Sequence, residues 1–130
     1  MADAIDIGGS AFVGGSATLM ARVEHTSGEL LKVADVATVS YSIFKMDRAS
    51  GARVDVEGHA DVSMTPSNVI SDVVHDDAAW TRDAIGYNLR HVLDVATHPA
   101  FATVGQYLIE HKIMPVSGQI IIVRFRVNVI

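Results

Sequence analysis

The sequence of 130 residues predicts an all-β fold, a single antiparallel β-sandwich of about seven strands. Apolar and polar residues alternate with a period of two along most of the apolar segments, which is the pattern of a half-buried strand. Turn-forming residues interrupt these segments at intervals of roughly 8–12 residues, the spacing found in sandwich folds. Long segments with the helical period are missing, and this argues against α/β architectures.

The clearest strand pattern lies in residues 119–130. Its inward-facing positions are Ile121, Val123, Phe125, Val127 and Val129, and they alternate with Ile122, Arg124, Arg126 and Asn128. One face of this strand is therefore predicted to pack on the core, while the other faces solvent. Because this strand comes last in the sequence, we expect it to dock into sheets formed by the earlier segments.

Six other segments carry a strand pattern, over residues 17–24, 36–44, 53–64, 69–74, 87–95 and 106–114. Gly58 predicts a bulge or bend within the third of them, since glycine weakens the interior of a strand. Asp77 is suited to cap one turn of helix that ends at Gly86, because its carboxylate can accept hydrogen bonds from free backbone amides. Residues 16–130 are predicted to form one sandwich domain.

Residues 1–15 contain two glycine pairs, at positions 8–9 and 14–15. Paired glycines are costly to order and interrupt regular elements, so we predict a flexible or extended N-terminal arm. Two interpretations of this arm remain open. It is either a frayed terminus or a segment whose apolar side chains dock on a neighbouring subunit, namely Ile5, Ile7, Phe12 and Val13.

Composition and charge restrict the class of protein. Hydrophobic residues make up 49% of the chain, as in a packed globular domain, and the absence of cysteine excludes disulfides and thiolate metal sites. The net charge is −5 and the basic residues are scattered, so we expect no nucleic-acid partner. We also expect no membrane-spanning segment and no signal peptide. The prediction is a cytosolic product, or one that leaves the cell by another route.

The six histidines lack the local spacing of a metal site. Strand parity places two of them, His91 and His111, on inward faces beside Leu89 and Ile109. The leading interpretation is that both are neutral imidazoles bonded to backbone carbonyls or to a nearby hydroxyl group. A two-histidine metal site and a pH-responsive packing site are the alternatives.

Familiar catalytic and ligand-binding patterns are not found in the sequence. Asp72, Asp76, Asp77 and Asp83 lack the regular spacing of a calcium loop, so a solvated loop is predicted for them. No serine lies in a GxSxG nucleophile elbow, and the glycine pairs are not followed by the GK[ST] of a phosphate-binding loop. We therefore predict a protein without catalytic residues, metal, cofactor or small-molecule substrate.

One cluster surrounds the single tryptophan and combines residues with specific packing and hydrogen-bonding abilities. Trp80 is predicted to cover an open end of the sandwich, Asp83 to accept backbone amides, and Asn88 to bond a neighbouring turn. Gly86 and Tyr87 connect this cluster to the strand that follows. A ligand pocket around Trp80 and Tyr87 is the alternative interpretation.

A tyrosine opens the penultimate strand. In immunoglobulin-like sandwiches, a tyrosine at such a position forms a tyrosine corner, in which its hydroxyl bonds an upstream backbone group. We predict this role for Tyr107.

From residue 17 onwards the chain resembles the small immunoglobulin-like β-sandwich modules of bacteriophage structural proteins and of proteins from phage-like gene neighbourhoods. The resemblance rests on strands at 17–23 and 35–44, on Tyr107, and on the motif Trp80-x-x-Asp83-x-x-Gly86-Tyr87-Asn88. It implies an immunoglobulin-like fold and a non-catalytic component of a virion, in a head decoration, neck, tail or baseplate. The partners it implies are copies of the chain itself and other virion proteins.

Apolar residues on outward strand faces fit this interpretation, since exposed apolar patches usually mark contact surfaces. Ile120 and Ile122 are the candidates in the last strand. Two other hypotheses remain. One is a carbohydrate-binding or small-ligand-binding sandwich that uses Trp80, Tyr87 and Tyr41, and the other is a stand-alone bacterial domain of another role.

Overall fold

Two β-sheets pack face to face in the computed structural model of the protein, and the hydrophobic core lies between them. The structure describes residues 3–25, 28–47, 49–75, 86–93, 95–96, 98–117 and 119–130, with the backbone alone for residues 3–10. Within these ranges, no helix is long and apolar enough to cross a membrane.

The described residues form nine strands and two short helical turns. The strands are β1 (Asp3–Ala11), β2 (Thr18–Ala21), β3 (Val36–Met46), β4 (Arg53–Asp55), β5 (Val62–Met64), β6 (Ile70–His75), β7 (Tyr87–Val92), β8 (Gly105–Pro115) and β9 (Ile121–Val129). A 3-10 turn (Val33–Asp35) precedes β3, and the one-turn helix α1 (Pro66–Val69) precedes β6. Pro66 occupies the first turn of α1, where its missing N–H would have no helical partner.

The strand order is that of an immunoglobulin-like sandwich. The larger sheet has the order β1-β9-β8-β3-β4, with β5 also paired to β3, and the smaller sheet has the order β2-β7-β6. The sets β3-β8-β9 and β2-β7-β6 correspond to the C-F-G and B-E-D strands of that fold. The described strand pairs are antiparallel, except that β1 lies parallel to β9. The prediction of an all-β sandwich is confirmed.

The segment predicted as one strand over residues 53–64 is divided into β4 and β5 around Gly58. Gly58 has φ +80°, and a Cβ atom there would lie 2.2 Å from the ring of His98. Only glycine fits a backbone that is both left-handed and this close to another side chain. The turn is fastened to β3, because the amide of Ile43 donates to the carbonyl of His59 and the amide of Val56 donates to the carbonyl of Ile43.

Residues 3–11 of the predicted flexible or extended N-terminal arm are extended and form β1, so the flexible alternative does not hold for them. The register of β1 runs from Asp3 beside Ile121 to Ala11 beside Val129. The ladder continues past the end of both strands, since the amide of Ile130 donates to the carbonyl of Ala11 at 2.9 Å and the amide of Val13 donates to the carbonyl of Ile130 at 3.1 Å. The glycine pair at 8–9 does not interrupt β1, because the strand is specified by pairing with β9 and not by its own pattern. At Gly14 (φ +75°) the chain turns away towards β2 in the other sheet.

The last strand is embedded in the larger sheet, between β1 and β8. Its predicted inward residues are all buried, namely Ile121, Val123, Phe125, Val127 and Val129. They meet the inward face of β8, which includes Ile109 and Ile113, and residues of the smaller sheet such as Leu89. Each such side chain contributes about 1.5–3 kcal/mol when removed from water, so the C-terminal strand is a major part of the core.

Candidate functional site

Asn88 in β7 fastens two other segments of the chain to the smaller sheet. Its side chain is buried, its Oδ1 accepts the amide of Val23 at 2.6 Å, and its Nδ2 donates to the carbonyls of Val23 at 3.0 Å and Leu31 at 2.9 Å. These segments also pair directly, because the amide of Leu31 donates to the carbonyl of Val23. The side chain that was predicted to bond a neighbouring turn therefore makes three buried hydrogen bonds, and its role is structural.

Gly86 occupies a position that excludes any side chain. Its φ is +113°, and a Cβ atom would lie 2.4 Å from the carbonyl oxygen of His75 in β6. The next residue, Tyr87, is buried, and its ring lies 5.8 Å from the His75 ring. Trp80 and Asp83, the other members of the predicted cluster, lie outside the described residues.

Gly86→Ala is expected to lower the free energy of unfolding by at least about 2 kcal/mol more than Gly51→Ala, because the new methyl group must displace the His75 carbonyl. Gly51→Ala is the matched control, since Gly51 has φ +72° in open space and loses only about 1–2 kcal/mol through backbone strain. Urea unfolding of the two variants measures the difference. Equal losses would show that the close approach at Gly86 has no energetic consequence.

Tyr107 forms the predicted tyrosine corner. Its hydroxyl donates to the carbonyl of Thr103 at 2.8 Å, four residues upstream, and its ring packs edge-on against Phe101 at 5.2 Å. Phe101 is completely buried, so the corner fixes the loop before β8 onto the core. This contact was predictable because it is local and belongs to the fold.

Tyr107→Phe is expected to lower the free energy of unfolding by about 0.5–1.5 kcal/mol, because the part-buried hydrogen bond to the carbonyl of Thr103 is lost while the ring packing stays. Thr103→Ala is the control, since it keeps the backbone carbonyl and removes the side-chain methyl group and the hydroxyl, which lies 3.2 Å from the Tyr107 hydroxyl and also accepts from Lys45. Chemical denaturation measures both variants. A larger loss for Thr103→Ala than for Tyr107→Phe would contradict the corner as the source of stability.

One end of the sandwich carries a group of exposed large apolar side chains, which we call the end surface. Its members are Phe12 (72% exposed), Val104 (62%), Ile130 (59%), Val54 (58%) and Val13 (46%). A groove of about 860 Å³ is lined by three of them, Val54, Val104 and Ile130, and by the charged residues Lys45 and Asp47. The other two lie alongside, since the amide of Val13 donates to the carbonyl of Ile130 at 3.1 Å.

The end surface includes only some of the side chains that were predicted to contact another chain. Phe12 and Val13 belong to it, whereas the side chains of Ile5 and Ile7 lie outside the described part of the structure. Ile120 and Ile122 are half-buried next to and within β9. A contact through any of these residues stays a prediction.

Two of the three aromatic residues proposed for a ligand-binding sandwich are in the interior. Tyr41 and Tyr87 are 7% and 5% exposed. Neither ring is presented at the surface as a stacking platform, and Tyr41 borders a cavity of about 300 Å³ shared with His59 and His91. The third, Trp80, is not among the described residues.

Histidines and a tyrosine form a second cluster, inside the sandwich. His91 and His111 point inward as predicted, but they bond each other, with Nδ1 of His91 lying 2.9 Å from Nε2 of His111. The hydroxyl and carbonyl partners that were predicted for His91 and His111 are found at His59. Its Nε2 lies 2.7 Å from the carbonyl of His98 and must donate, so its Nδ1 accepts from the Tyr41 hydroxyl at 2.8 Å.

His91 and His111 are both held in the neutral form. Burial lowers the pKa of His111 to about 3, and the neighbouring His91 adds to this effect. Burial likewise lowers the pKa of His91 to about 4, with a smaller contribution from His59. In the part of the chain that the structure describes, no three histidine or acidic side chains are arranged to hold a metal ion.

The two packed sheets make this protein an all-β sandwich, and its strand order and tyrosine corner match the immunoglobulin-like pattern. The chain matches no protein-family model and no curated protein sequence. Because one fold of this class serves many roles, the function of this chain depends on its own surface and side chains.

Proposed function

We propose that this protein is a non-catalytic assembly module that binds other protein subunits through its end surface. The observation that supports this proposal is the group of five large apolar side chains, each between 46% and 72% exposed, at one end of the sandwich. Scattered exposed apolar residues are normal on a protein surface, but exposed apolar residues that line one groove, as Val54, Val104 and Ile130 do, are typical of a contact site.

The chemistry around the groove suits a protein partner. The groove is lined by the apolar side chains of Val54, Val104 and Ile130. Beside them, Lys45 and Asp47 supply charges of both signs. Protein interfaces commonly combine an apolar centre with a polar rim, because the centre excludes water and the rim fixes the orientation of the partner. The Lys45 ammonium group is already oriented by Thr103 and lies 5.9 Å from the ring of Tyr107.

Several separate segments build the end surface. Phe12 and Val13 follow β1, Val54 lies in β4, Val104 precedes β8, and Ile130 follows β9. Since the tyrosine corner, the β1–β9 ladder and the pairing of β4 with β3 hold these segments, the apolar groups are presented without a large ordering cost on binding. A rigid apolar surface of this kind favours a permanent contact over a transient one.

The resemblance to phage sandwich modules suggests where such a contact is used. We propose a virion or virion-like particle, in which the partners are copies of this chain or neighbouring structural proteins. A head decoration, a neck, a tail and a baseplate all present repeated subunits to which a small module can attach. The ligand-binding alternative has less support, because Tyr41 and Tyr87 are buried.

Sedimentation equilibrium of the purified protein over a wide range of concentrations tests this proposal. We expect a discrete oligomer whose population rises with concentration and with added sulfate, since sulfate strengthens the burial of apolar surface. A control in high sodium chloride should change the association little, because the proposed contact is mainly apolar. A monomer under all of these conditions would contradict self-assembly through the end surface.

A further inference from the structure

The hydrogen bond between His91 and His111 joins the two sheets of the sandwich. His91 lies in β7 of the smaller sheet and His111 in β8 of the larger sheet. Their rings meet edge-on, with centroids 5.1 Å apart and planes at 86°. The side chains therefore connect elements that are not neighbours in either sheet.

The geometry assigns the protons within this pair. Nδ1 of His111 is buried without a hydrogen-bond partner. Buried N–H groups without an acceptor are rarer than buried acceptors without a donor, so Nδ1 carries no proton. The proton of His111 is then on Nε2 and is donated to Nδ1 of His91. The other nitrogen of His91 carries its proton, and His91 borders a cavity of about 300 Å³ together with His59 and His98.

Among the side chains that the structure describes, none places an opposite charge against a protonated imidazole of the pair. From β3, Tyr41 places its ring 4.7 Å from that of His91 and 6.0 Å from that of His111, and from β9 the Phe125 ring lies 5.3 Å from that of His111. Leu19 of β2 pairs with His91. Across the described residues, the titratable groups that face the pair are Tyr41, His59 and His98.

The charged residues beside the pair in sequence do not compensate for it. Along β8, Glu110 and Lys112 lie on the opposite face of the strand, and Glu110 is bonded to Arg124 at 3.0 Å. Arg90 in β7 is exposed. A positive charge on either imidazole would therefore be buried among apolar and neutral side chains, which is unfavourable.

We propose that the His91–His111 pair is an acid-sensitive latch between the two sheets, which holds when both imidazoles are neutral and opens when they take up protons. The first proton places an uncompensated charge in the core. The second converts both facing nitrogens into N–H donors, so that the hydrogen bond between the sheets is lost and the rings repel. The expected result is separation of β7 from β8. The latch is independent of the proposed assembly through the end surface.

The sign of the pH dependence follows from the lowered pKa values of His91 and His111, about 4 and about 3 against an ordinary value of 6.5. The unfolded chain binds more protons below 6.5, so the stability from the pair is complete above that pH and is lost as the pH falls towards 4 and below. Between pH 7 and pH 5 the two residues together lower the folding equilibrium constant several hundredfold, roughly 25-fold for each.

Urea unfolding at pH 7 and pH 5 tests the latch. The variants are His91→Leu with His111→Leu, which replaces the pair by apolar groups, and His75→Gln, which removes an exposed histidine as the control. The folding constants of the native protein and of the control should fall several hundredfold more than that of the double variant. Equal pH dependence of all three proteins would overturn the proposal.

Two measurements on the native protein keep the test decisive if the double variant does not fold. In a nuclear magnetic resonance titration, we expect the imidazoles of His91 and His111 to stay neutral between pH 8 and pH 5. Protonation of either near pH 6.5 in the folded protein would overturn the proposal.

The second measurement is hydrogen exchange at acid pH, corrected for the intrinsic rate, in which β7 should open before β9. Uniform opening of both strands would indicate global unfolding and would contradict a latch.

Discussion

Asn88→Ala is expected to lower the free energy of unfolding by about 3–5 kcal/mol in urea denaturation at neutral pH. The amide of Val23 and the carbonyl of Leu31 lose the partners that Asn88 provides, and both backbone groups lie within the protein. Each unsatisfied buried group costs about 1–3 kcal/mol. The carbonyl of Val23 keeps one bond, from the amide of Leu31, and so contributes less. Since small domains are stable by only about 5–15 kcal/mol, this variant would be close to unfolding.

Two further substitutions control for this prediction. Asn128→Ala removes the same side chain from an exposed position in β9 and is expected to change stability by less than about 0.5 kcal/mol. Asn88→Asp keeps the shape but cannot donate to the two carbonyls, so it should be at least as damaging as Asn88→Ala. A loss below about 1 kcal/mol for Asn88→Ala would show that water replaces the side chain at no great cost.

Lysine at two positions of the end surface is expected to dissociate the assembled protein. In the variant with Phe12→Lys and Val104→Lys, two large apolar groups that the proposed contact buries are lost, each contributing about 1.5–3 kcal/mol. The association constant measured by sedimentation should therefore fall at least about a hundredfold. Both side chains are exposed in the single chain, so its thermal stability should change little.

A matched variant distinguishes the end surface from exposed apolar residues in general. Val73 in β6 and Val116, which follows β8 at the opposite end of that strand from Val104, are 59% and 70% exposed. With Val73→Lys and Val116→Lys, the association constant is expected to stay close to that of the native protein. Equal dissociation of both double variants would point to a general effect of charge and would contradict the assigned surface.

The sequence pattern predicted much of the fold because alternation along a strand is a local property. It identified the inward faces of β8 and β9 and the inward orientation of His91 and His111, all of which the structure confirms. The pairing of β1 with β9 was not predictable in the same way. It joins the two ends of the chain, and the glycine-rich segment carries no alternation that would reveal its partner.

The site residues show the same difference between local contacts and contacts that are distant in sequence. The tyrosine corner of Tyr107 was predictable, because its partner Thr103 is four residues away and the contact belongs to the fold. The hydrogen bond between His91 and His111 was not, since parity gives the direction of each side chain but not the element that it meets. Val54 lies in the segment 53–64 that was predicted to form one strand, and it is exposed because β4 is the last strand in the sheet order.

Covalent footprinting of the assembled protein against the dilute protein is the most direct test of the end surface. Phe12, Val104 and Ile130 are expected to lose most of their labelling on assembly, while Val73 and Val116 remain labelled. Protection at Val73 or Val116 without protection at Phe12 would place the contact elsewhere on the sandwich. An assembled protein whose end surface is labelled as strongly as in the single chain would contradict the proposed function.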